Sequence, residues 1–311
     1  MTAVPPPRAF FRPGGFSLHE GESVAEGQRL LSLCRVFARD LLRGVSARLG
    51  AASFLLPALG IAVYVIVRSR VAAFAVPPKD QTVFLLDNLT LLFSLNAGWL
   101  MLVHAGRVAP LIARDAWFGA LLLYFSRPVA RTHYLLGRVV STALVGALLL
   151  LLPELLLLAA HLLAFGPQPG GTPLEGWMAV WLWSGAVLGL TLACLIAGAV
   201  LAIVSLACGV LVRNPASAPL LFGGCILGSL AVSWVLQAAW GRDSVARSLD
   251  LHHALQGLLT LGLAPLSPAP VPAFAAMDAA TGVGLWLALA LAGWLVLQRF
   301  IAHPPLGRGR S

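Results

Sequence analysis

Residues 177–212 read WMAVWLWSGAVLGLTLACLIAGAVLAIVSLACGVLV, and none of them is charged. About 20 apolar residues are enough for a helix to cross a bilayer, so this stretch predicts a membrane-spanning helix that tilts or extends beyond the bilayer. The whole chain has the same character: 59% of its 311 residues are hydrophobic and only 11% are charged. Soluble domains carry about 25% charged residues. The composition therefore predicts an integral membrane protein.

Five further apolar stretches accompany this one. The sequence thus predicts an all-α fold with six transmembrane helices, at about 49–67, 83–105, 139–165, 177–212, 217–240 and 283–301. Together they make a membrane domain over residues 49–303, in which Pro57 is expected to kink the first helix. Residues 1–28 are predicted to be a disordered cytoplasmic tail, without the pattern of a cleavable signal peptide, and residues 304–311 a second cytoplasmic tail.

Residues 29–48, RLLSLCRVFARDLLRGVSAR, have apolar side chains at three- and four-residue spacing. Arg35, Arg39 and Arg43 follow one another every four residues and form a second, basic stripe. This pattern predicts an amphipathic helix that lies in the membrane interface, where lipids are its partners. The alternative is an ordinary solvated helix.

The distribution of basic residues predicts the orientation. If both termini are cytoplasmic, the inner segments hold most of the arginines, and five basic residues lie outside: Arg68, Arg70, Lys79, Arg242 and Arg247. This asymmetry follows the positive-inside rule and predicts a protein of the cytoplasmic (inner) membrane. It also accounts for the net charge of +9 without nucleic acid as a partner. The same topology leaves a long outer segment, 241–282, predicted as a short helix that dips to the outer interface followed by an extended, proline-rich return.

Few residues suggest chemistry inside the membrane. Glu154 and His161 lie seven positions apart in the third predicted span, on one helix face, and indicate a possible translocation path. A packing role, or a position near the headgroups, is the alternative. His252 and His253 lack the spacing of a zinc site, Asp87 and Asn88 are expected at a solvated interface, and no metal or cofactor is expected in this chain.

Cysteines and small residues are expected to serve packing. The four cysteines form no CxxC pair and are predicted to be free. Gly185 and Gly189 are four residues apart, as are Gly224 and Gly228, which lets helices approach closely. Packing within one chain is the preferred interpretation of both rows, with a contact between two chains as the alternative.

On this topology residues 106–138 form a cytoplasmic loop. Residues 111–125 are compatible with a helix. Pro128 disfavours helix at Arg127, and a helix can resume near Thr132 and continue into the third span. The loop therefore predicts a short helix and a rigid corner that carries several arginines.

The loop also carries an ordered set of residues. A basic residue precedes an acidic one, a glycine follows four positions later, and Ser-Arg-Pro, an arginine and Gly-Arg complete the order: Arg114, Asp115, Gly119, Ser126, Arg127, Pro128, Arg131, Gly137 and Arg138. This order resembles the cytoplasmic loop of ABC transporter permeases of the type-2 (ABC-2) exporter family. The likeness is close in this loop and loose over the rest of the chain.

The resemblance implies a transporter subunit rather than an enzyme. In that family the interfacial helix and the loop contact a separate ATPase, which binds ATP and Mg²⁺, and two permease copies work with two ATPase copies. It implies an ATPase-coupling contact at Arg114, Asp115, Gly119, Ser126, Arg127, Pro128 and Arg131. The sequence itself contains no P-loop motif, so ATP hydrolysis is expected in a partner chain. The alternatives are an ATPase-independent structural membrane subunit or a membrane-embedded lipid-modifying enzyme.

Overall fold

The protein is built from helices. A computed structural model describes residues 26–43, 45–71, 76–77, 80–121, 131–166, 176–212, 214–240, 247, 249–266 and 273–302, and these ranges contain no β-strand. The helices, in chain order, are α1 (Glu26–Leu41), α2 (Val45–Ser53), α3 (Leu55–Arg70), α4 (Gln81–Val103), a π-helical turn (His104–Val108), α5 (Pro110–Trp117), α6 (Arg131–Phe165), α7 (Gly176–Val212), α8 (Ala218–Trp240), α9 (Leu251–Gly262), a 3₁₀ turn (Ala264–Leu266) and α10 (Ala273–Ala302).

Six of these units are long and apolar enough to cross a membrane, which confirms the predicted all-α membrane fold. They are α2 with α3, α4 with α5, α6, α7, α8 and α10. In α7, 67% of the residues of its most apolar window are buried, against 11% in α8. The uncharged stretch at 177–212 is therefore the central helix of the bundle, and α8 lies at its edge.

The first span contains a break rather than a smooth kink. Pro57 has no N–H to donate to the carbonyl of Ser53, four residues earlier, so the helical ladder is interrupted there. The chain turns at Phe54, whose N–H instead bonds the Ala51 carbonyl at 3.3 Å. Phe54 itself is buried. Pro57 thus breaks the span, as expected, but the turn lies three residues before the proline.

The second span continues beyond its predicted end. After α4, the π-helical turn leads directly into α5. Pro110 is the first residue of α5, a position where a backbone N–H would have no partner within the helix, so the missing N–H of proline costs nothing. The helix predicted over 111–125 ends at Trp117, because Gly119 adopts a φ of +71°, a left-handed conformation that glycine accepts without strain. The next helix, α6, begins at Arg131, close to the predicted restart at Thr132.

Glycines let the central helices meet backbone to backbone. A Cβ atom on Gly189 of α7 would overlap the carbonyl of Gly262 at the end of α9, and one on Gly209 would overlap the carbonyl of Ala109. The glycine row of α7, Gly185 and Gly189, thus packs within the chain, as predicted. The α8 row does not: a Cβ on Gly224 or Gly228 would meet nothing within 4 Å, so the same expectation is wrong there.

The segment between α8 and α10 packs deeper than expected. Its helix, α9, has a buried apolar face instead of resting at an interface, and Ser94 of α4 bonds His252 at 2.7 Å. Asp250 caps its first turn by accepting the N–H of His252 at 3.0 Å. The proline-rich return lies partly outside the described residues, and α10 begins at Ala273, before the predicted last span.

Candidate functional site

The basic amphipathic helix packs on the start of α6. Phe37 of α1 is buried, and its ring lies about 3.2 Å from where a Cβ on Gly137 would be, so glycine makes room for it. Arg35 and Arg39 are on the exposed side, as the amphipathic pattern predicts. The single helix expected over 29–48 is wrong, because the chain turns after Leu41 and a second helix begins at Val45. Arg43 therefore lies in the connection and does not extend the basic stripe.

A buried arginine joins three helices at this end of the bundle. Arg138 of α6 has a side chain that is only 4% exposed, and its Nη2 donates to Asp115 Oδ2 of α5 at 2.7 Å. The hydroxyl of Tyr134, one turn earlier on α6, donates to the same carboxylate oxygen at 2.5 Å. Because residues four apart share a helix face, Tyr134 and Arg138 converge on one carboxylate.

The same guanidinium also holds α1. Its carbon lies 3.9 Å from the centre of the Phe37 ring, and its Nη1 lies 3.6 Å from Asp40 Oδ2. Phe37 in turn meets Tyr134 edge to face, with ring centres 5.7 Å apart. We call Phe37, Asp40, Asp115, Tyr134 and Arg138 the Arg138 clamp, because one side chain fastens α1, α5 and α6 together.

The buried charge of Arg138 is balanced by a carboxylate. Taking a guanidinium out of water costs several kcal/mol, which a well-placed carboxylate offsets in part. Among the described residues, Nη2 has a hydrogen-bond partner, whereas Nε and Nη1 have none. Asp115 provides that charge, while Asp40, whose side chain is 54% exposed, lies at the solvated edge. Removing Asp115 would leave a buried charge whose nearest carboxylate is the solvated one of Asp40.

The structure separates the predicted coupling residues into two groups. Asp115 points inward to Arg138, with its side chain 17% exposed, so it fixes the buried side of α5 to α6. Arg114 is exposed on the outer side of α5. Gly119 ends that helix region, and its N–H bonds the Ala116 carbonyl at 3.3 Å. Arg131 begins α6 and donates to the Ala302 carbonyl at the end of α10, 3.3 Å away. Ser126, Arg127 and Pro128 lie outside the described residues.

Two aromatic side chains complete the exposed surface of this loop. Trp117 is 60% exposed and Phe118 is 76% exposed, and both lie between Arg114 and Gly119 in the chain. We call Arg114, Trp117 and Phe118 the α5 tip. Large exposed aromatic residues next to an arginine are typical of protein–protein contacts. Sequence analysis missed the two aromatics, although their position beside a turn glycine was a usable signal.

Sequence analysis also gave Arg138 no role of its own. The signal was present: an arginine seven residues into a long apolar helix is expensive unless it finds an acid. Asp115 is the nearest acidic residue earlier in the chain, and Tyr134 stands one helical turn away. Only the three-dimensional approach of α1 and α5 identifies the partners.

The proposed translocation residues are both buried in the bundle. Glu154 is fully buried, and both of its carboxyl oxygens lack a hydrogen-bond partner within the described part of the chain. His161 packs its ring 4.8 Å from the centre of Phe165, and its Nδ1 is likewise unsatisfied among the described residues. Both side chains therefore lie inside the protein.

Asn96 of α4 shares the level of Glu154. A Cβ on Gly146 of α6 would lie 3.4 Å from the His104 ring, which fixes the register of these two antiparallel helices. Asn96 precedes His104 by eight residues, and Glu154 follows Gly146 by eight residues. Because α4 and α6 run in opposite directions, Asn96 and Glu154 each lie about 12 Å from the His104–Gly146 contact, on the same side of it. The amide of Asn96 is fully buried and also has no hydrogen-bond partner among the described residues.

The remaining candidates are structural. Burial lowers the pKa of His252; His253 acts in the same direction and Asp250 opposes it. Asp87 is exposed, whereas Asn88 is buried and donates to its own helix at Phe84. The cysteines in the described ranges are free, as predicted, and no group of three potential metal ligands occurs in those ranges.

Comparison with known proteins adds no family assignment. No protein-family model matches the chain, and no curated protein matches it significantly.

Proposed function

We propose that this chain is the transmembrane permease subunit of an ATP-driven exporter of the ABC-2 type. The observation that carries the proposal is the Arg138 clamp, which ties the exposed α5 tip to α6 and α1. The ordered residues of the loop, from Arg114 to Arg138, support the same function through their resemblance to the family's coupling loop. The chain performs no covalent chemistry in this role.

The α5 tip is the proposed docking point for a cytoplasmic ATPase, which binds ATP and Mg²⁺. A force applied there reaches α6 because Asp115 and Arg138 connect the two helices through a short, buried ion pair. Packed elements joined in this way move as a rigid body, as in hinge and shear transitions. Glu154 and His161 lie further along the same helix, so the motion would reach the proposed translocation path.

The proposed setting is the cytoplasmic membrane with both termini inside. Basic residues at the α1 end of the bundle support this orientation, since arginines favour the cytoplasmic side. They include Arg35, Arg39, Arg107, Arg114 and Arg131. The exposed basic side of α1 supports its contact with lipid headgroups.

A second permease copy is the other proposed partner. The surface that supports it is the edge helix α8, where Leu220 is 77% exposed and Leu227 is 67% exposed. The Gly224 and Gly228 row on α8 is open, which permits close approach of another helix. Two copies and two ATPases would make the complete exporter.

Co-purification tests the coupling. We expect Trp117→Ala with Phe118→Ala to leave the permease in the membrane and to reduce co-purification of its ATPase and ATP-driven transport. The charge reversal Arg127→Glu with Arg131→Glu should act in the same direction. Trp181→Ala is the matched control, because Trp181 is also exposed, at 72%, but stands at the far end of the bundle.

The outcomes separate the exporter from an ATPase-independent subunit. The expected partner contains a P-loop sequence, and the reconstituted complex hydrolyses ATP with Mg²⁺. Undiminished co-purification and transport in both tip variants would contradict the docking assignment. A complex that contains no P-loop protein would favour the structural alternative.

A further inference from the structure

A cavity opens beside the Arg138 clamp, between α1, α2, α4, the π-helical turn and α6. Its volume is about 260 Å³, and its wall is mostly apolar, with Phe54, Leu100 and Leu149 among its lining residues. Small-molecule sites usually measure about 300–1,000 Å³, so this one holds only part of a phospholipid, namely a headgroup and the adjoining part of one chain. It lies apart from the α5 tip.

Two buried polar groups line this cavity and have no hydrogen-bond partner in the described part of the chain. His104 is 1% exposed and its Nδ1 donates to the Leu100 carbonyl at 2.9 Å, while its Nε2 is unsatisfied within the described ranges. Thr142 is also 1% exposed, and its hydroxyl has no partner among the described residues. Leaving such groups without a hydrogen bond costs about 1–3 kcal/mol each, so both favour a ligand that can hydrogen-bond to them.

The local backbone sets this arrangement. His104 begins the π-helical turn, and π-helical turns occur frequently at functional sites. Arg107, in the same turn, also lines the cavity and donates weakly to the Leu41 carbonyl at 3.5 Å. One turn of unusual helix thus supplies both a positive charge and an imidazole nitrogen to the same space.

The polar groups of the wall lie toward the α1 end of the cavity, where Leu41, Leu42 and Val108 also line it. Thr142 and Arg107 are at that end, His104 comes next, and Leu100 and Leu149 lie further along. The helical rise places Leu149 about 10 Å beyond Thr142. A lipid in the leaflet next to α1 has this same polarity, with its head toward α1 and its chain toward the bilayer centre.

We propose that this cavity binds an anionic, hydroxyl-bearing phospholipid, with phosphatidylglycerol as the probe. Its phosphate would meet Arg107, its hydroxyls would pair with His104 Nε2 and Thr142 Oγ1, and one acyl chain would lie against Phe54, Leu100 and Leu149. In the neutral imidazole with Nδ1 protonated, Nε2 accepts a hydrogen bond, which a hydroxyl can donate. The half-exposed Trp99 at the rim leaves the site open to the bilayer.

Native mass spectrometry of the delipidated full-length protein tests this site. We expect phosphatidylglycerol to bind wild type about tenfold more tightly than phosphatidylethanolamine of equal chain length. Arg107→Gln should weaken phosphatidylglycerol binding by about tenfold, and Thr142→Val by about fivefold. A photoactivatable phosphatidylglycerol should crosslink within residues 99–108 or 142–149.

Matched variants control for unspecific effects. Arg299→Gln removes an exposed arginine near the end of α10, and Thr191→Val removes a hydroxyl that bonds its own helix at Val187. Both should leave lipid binding unchanged. Gly50→Phe adds a ring at the cavity wall, where a Cβ meets nothing within 4 Å, and it should abolish binding. If Arg107→Gln does not fold, lipid binding by Gly50→Phe tests the proposal instead.

Three results would overturn the proposal. Equal binding of phosphatidylglycerol to wild type and to folded Thr142→Val and Gly50→Phe would show that the lipid binds elsewhere. Equal affinity for phosphatidylethanolamine would remove the anionic preference. Full competition by soluble glycerol 3-phosphate would identify a site for a free anion instead of a lipid.

Discussion

Asp115→Asn tests the energetic core of the Arg138 clamp. The change keeps the shape of the side chain and removes the charge that faces a guanidinium 2.7 Å away and only 4% exposed. Breaking one partner of a buried ion pair costs about 3–5 kcal/mol, because the other charge remains uncompensated. We therefore expect the free energy of unfolding to fall by that amount.

Asp40→Asn is the matched control for the same arginine. Asp40 is 54% exposed and lies 3.6 Å from Arg138, so its loss should cost about 0–1 kcal/mol. Tyr134→Phe should fall between the two, at about 1.5–3 kcal/mol, since it removes one hydrogen bond to a charged group. The measurement is equilibrium unfolding in mixed micelles by titration with SDS.

A double variant completes this test. Replacing both charges, as Arg138→Met with Asp115→Leu, should recover most of the stability that Asp115→Asn loses, because apolar pairs often substitute for buried ion pairs without penalty. Equal losses for Asp115→Asn and Asp40→Asn would refute the reasoning. A double variant that is less stable than Asp115→Asn would refute it too.

Four further variants probe other parts of the bundle. Gly189→Ala should lower the free energy of unfolding by about 1–3 kcal/mol, because its Cβ would overlap a carbonyl, whereas Gly224→Ala should be neutral or stabilising. Since burial lowers the pKa of His252, the unfolded chain binds the proton more tightly and stability falls as the pH drops below about 6.5. His252→Gln should show a smaller loss between about pH 7.5 and about pH 5.5 in thermal unfolding. Glu154→Leu should raise the free energy of unfolding by about 1–3 kcal/mol, since it removes an unsatisfied buried group, and should lower transport by a reconstituted complex.

Hydropathy was sufficient to predict the spans, but not the way they meet. Charge-free stretches such as 177–212 identify helices directly, because the bilayer demands a minimum apolar length. Amphipathic spacing predicted the helix at 29–48 but missed the turn after Leu41, since periodicity continues across a short break. The depth of α9 was not predictable either, because it depends on Gly189 and Gly262 meeting from distant parts of the chain.

The candidate site was predictable only in part. Arg114 and Gly119 were identified from their order in the loop, and Arg114 is exposed as a contact residue requires. Asp115 was identified for the same reason, yet it faces Arg138, because a loop motif does not show which side of a short helix is buried. Phe37 belongs to the clamp through the approach of α1, a long-range contact that no local pattern contains.

The π-helical turn at His104–Val108 has a consequence for how this chain tolerates length changes. A π-helical turn holds one residue more than a regular turn, so the chain between α4 and α5 is one residue longer than a continuous α-helix would need. Deleting one residue there would restore a regular helix and rotate α5 by about 100° relative to α4. Asp115 would then face away from Arg138. Related chains that keep the clamp should therefore keep the extra residue, and insertions or deletions should accumulate elsewhere.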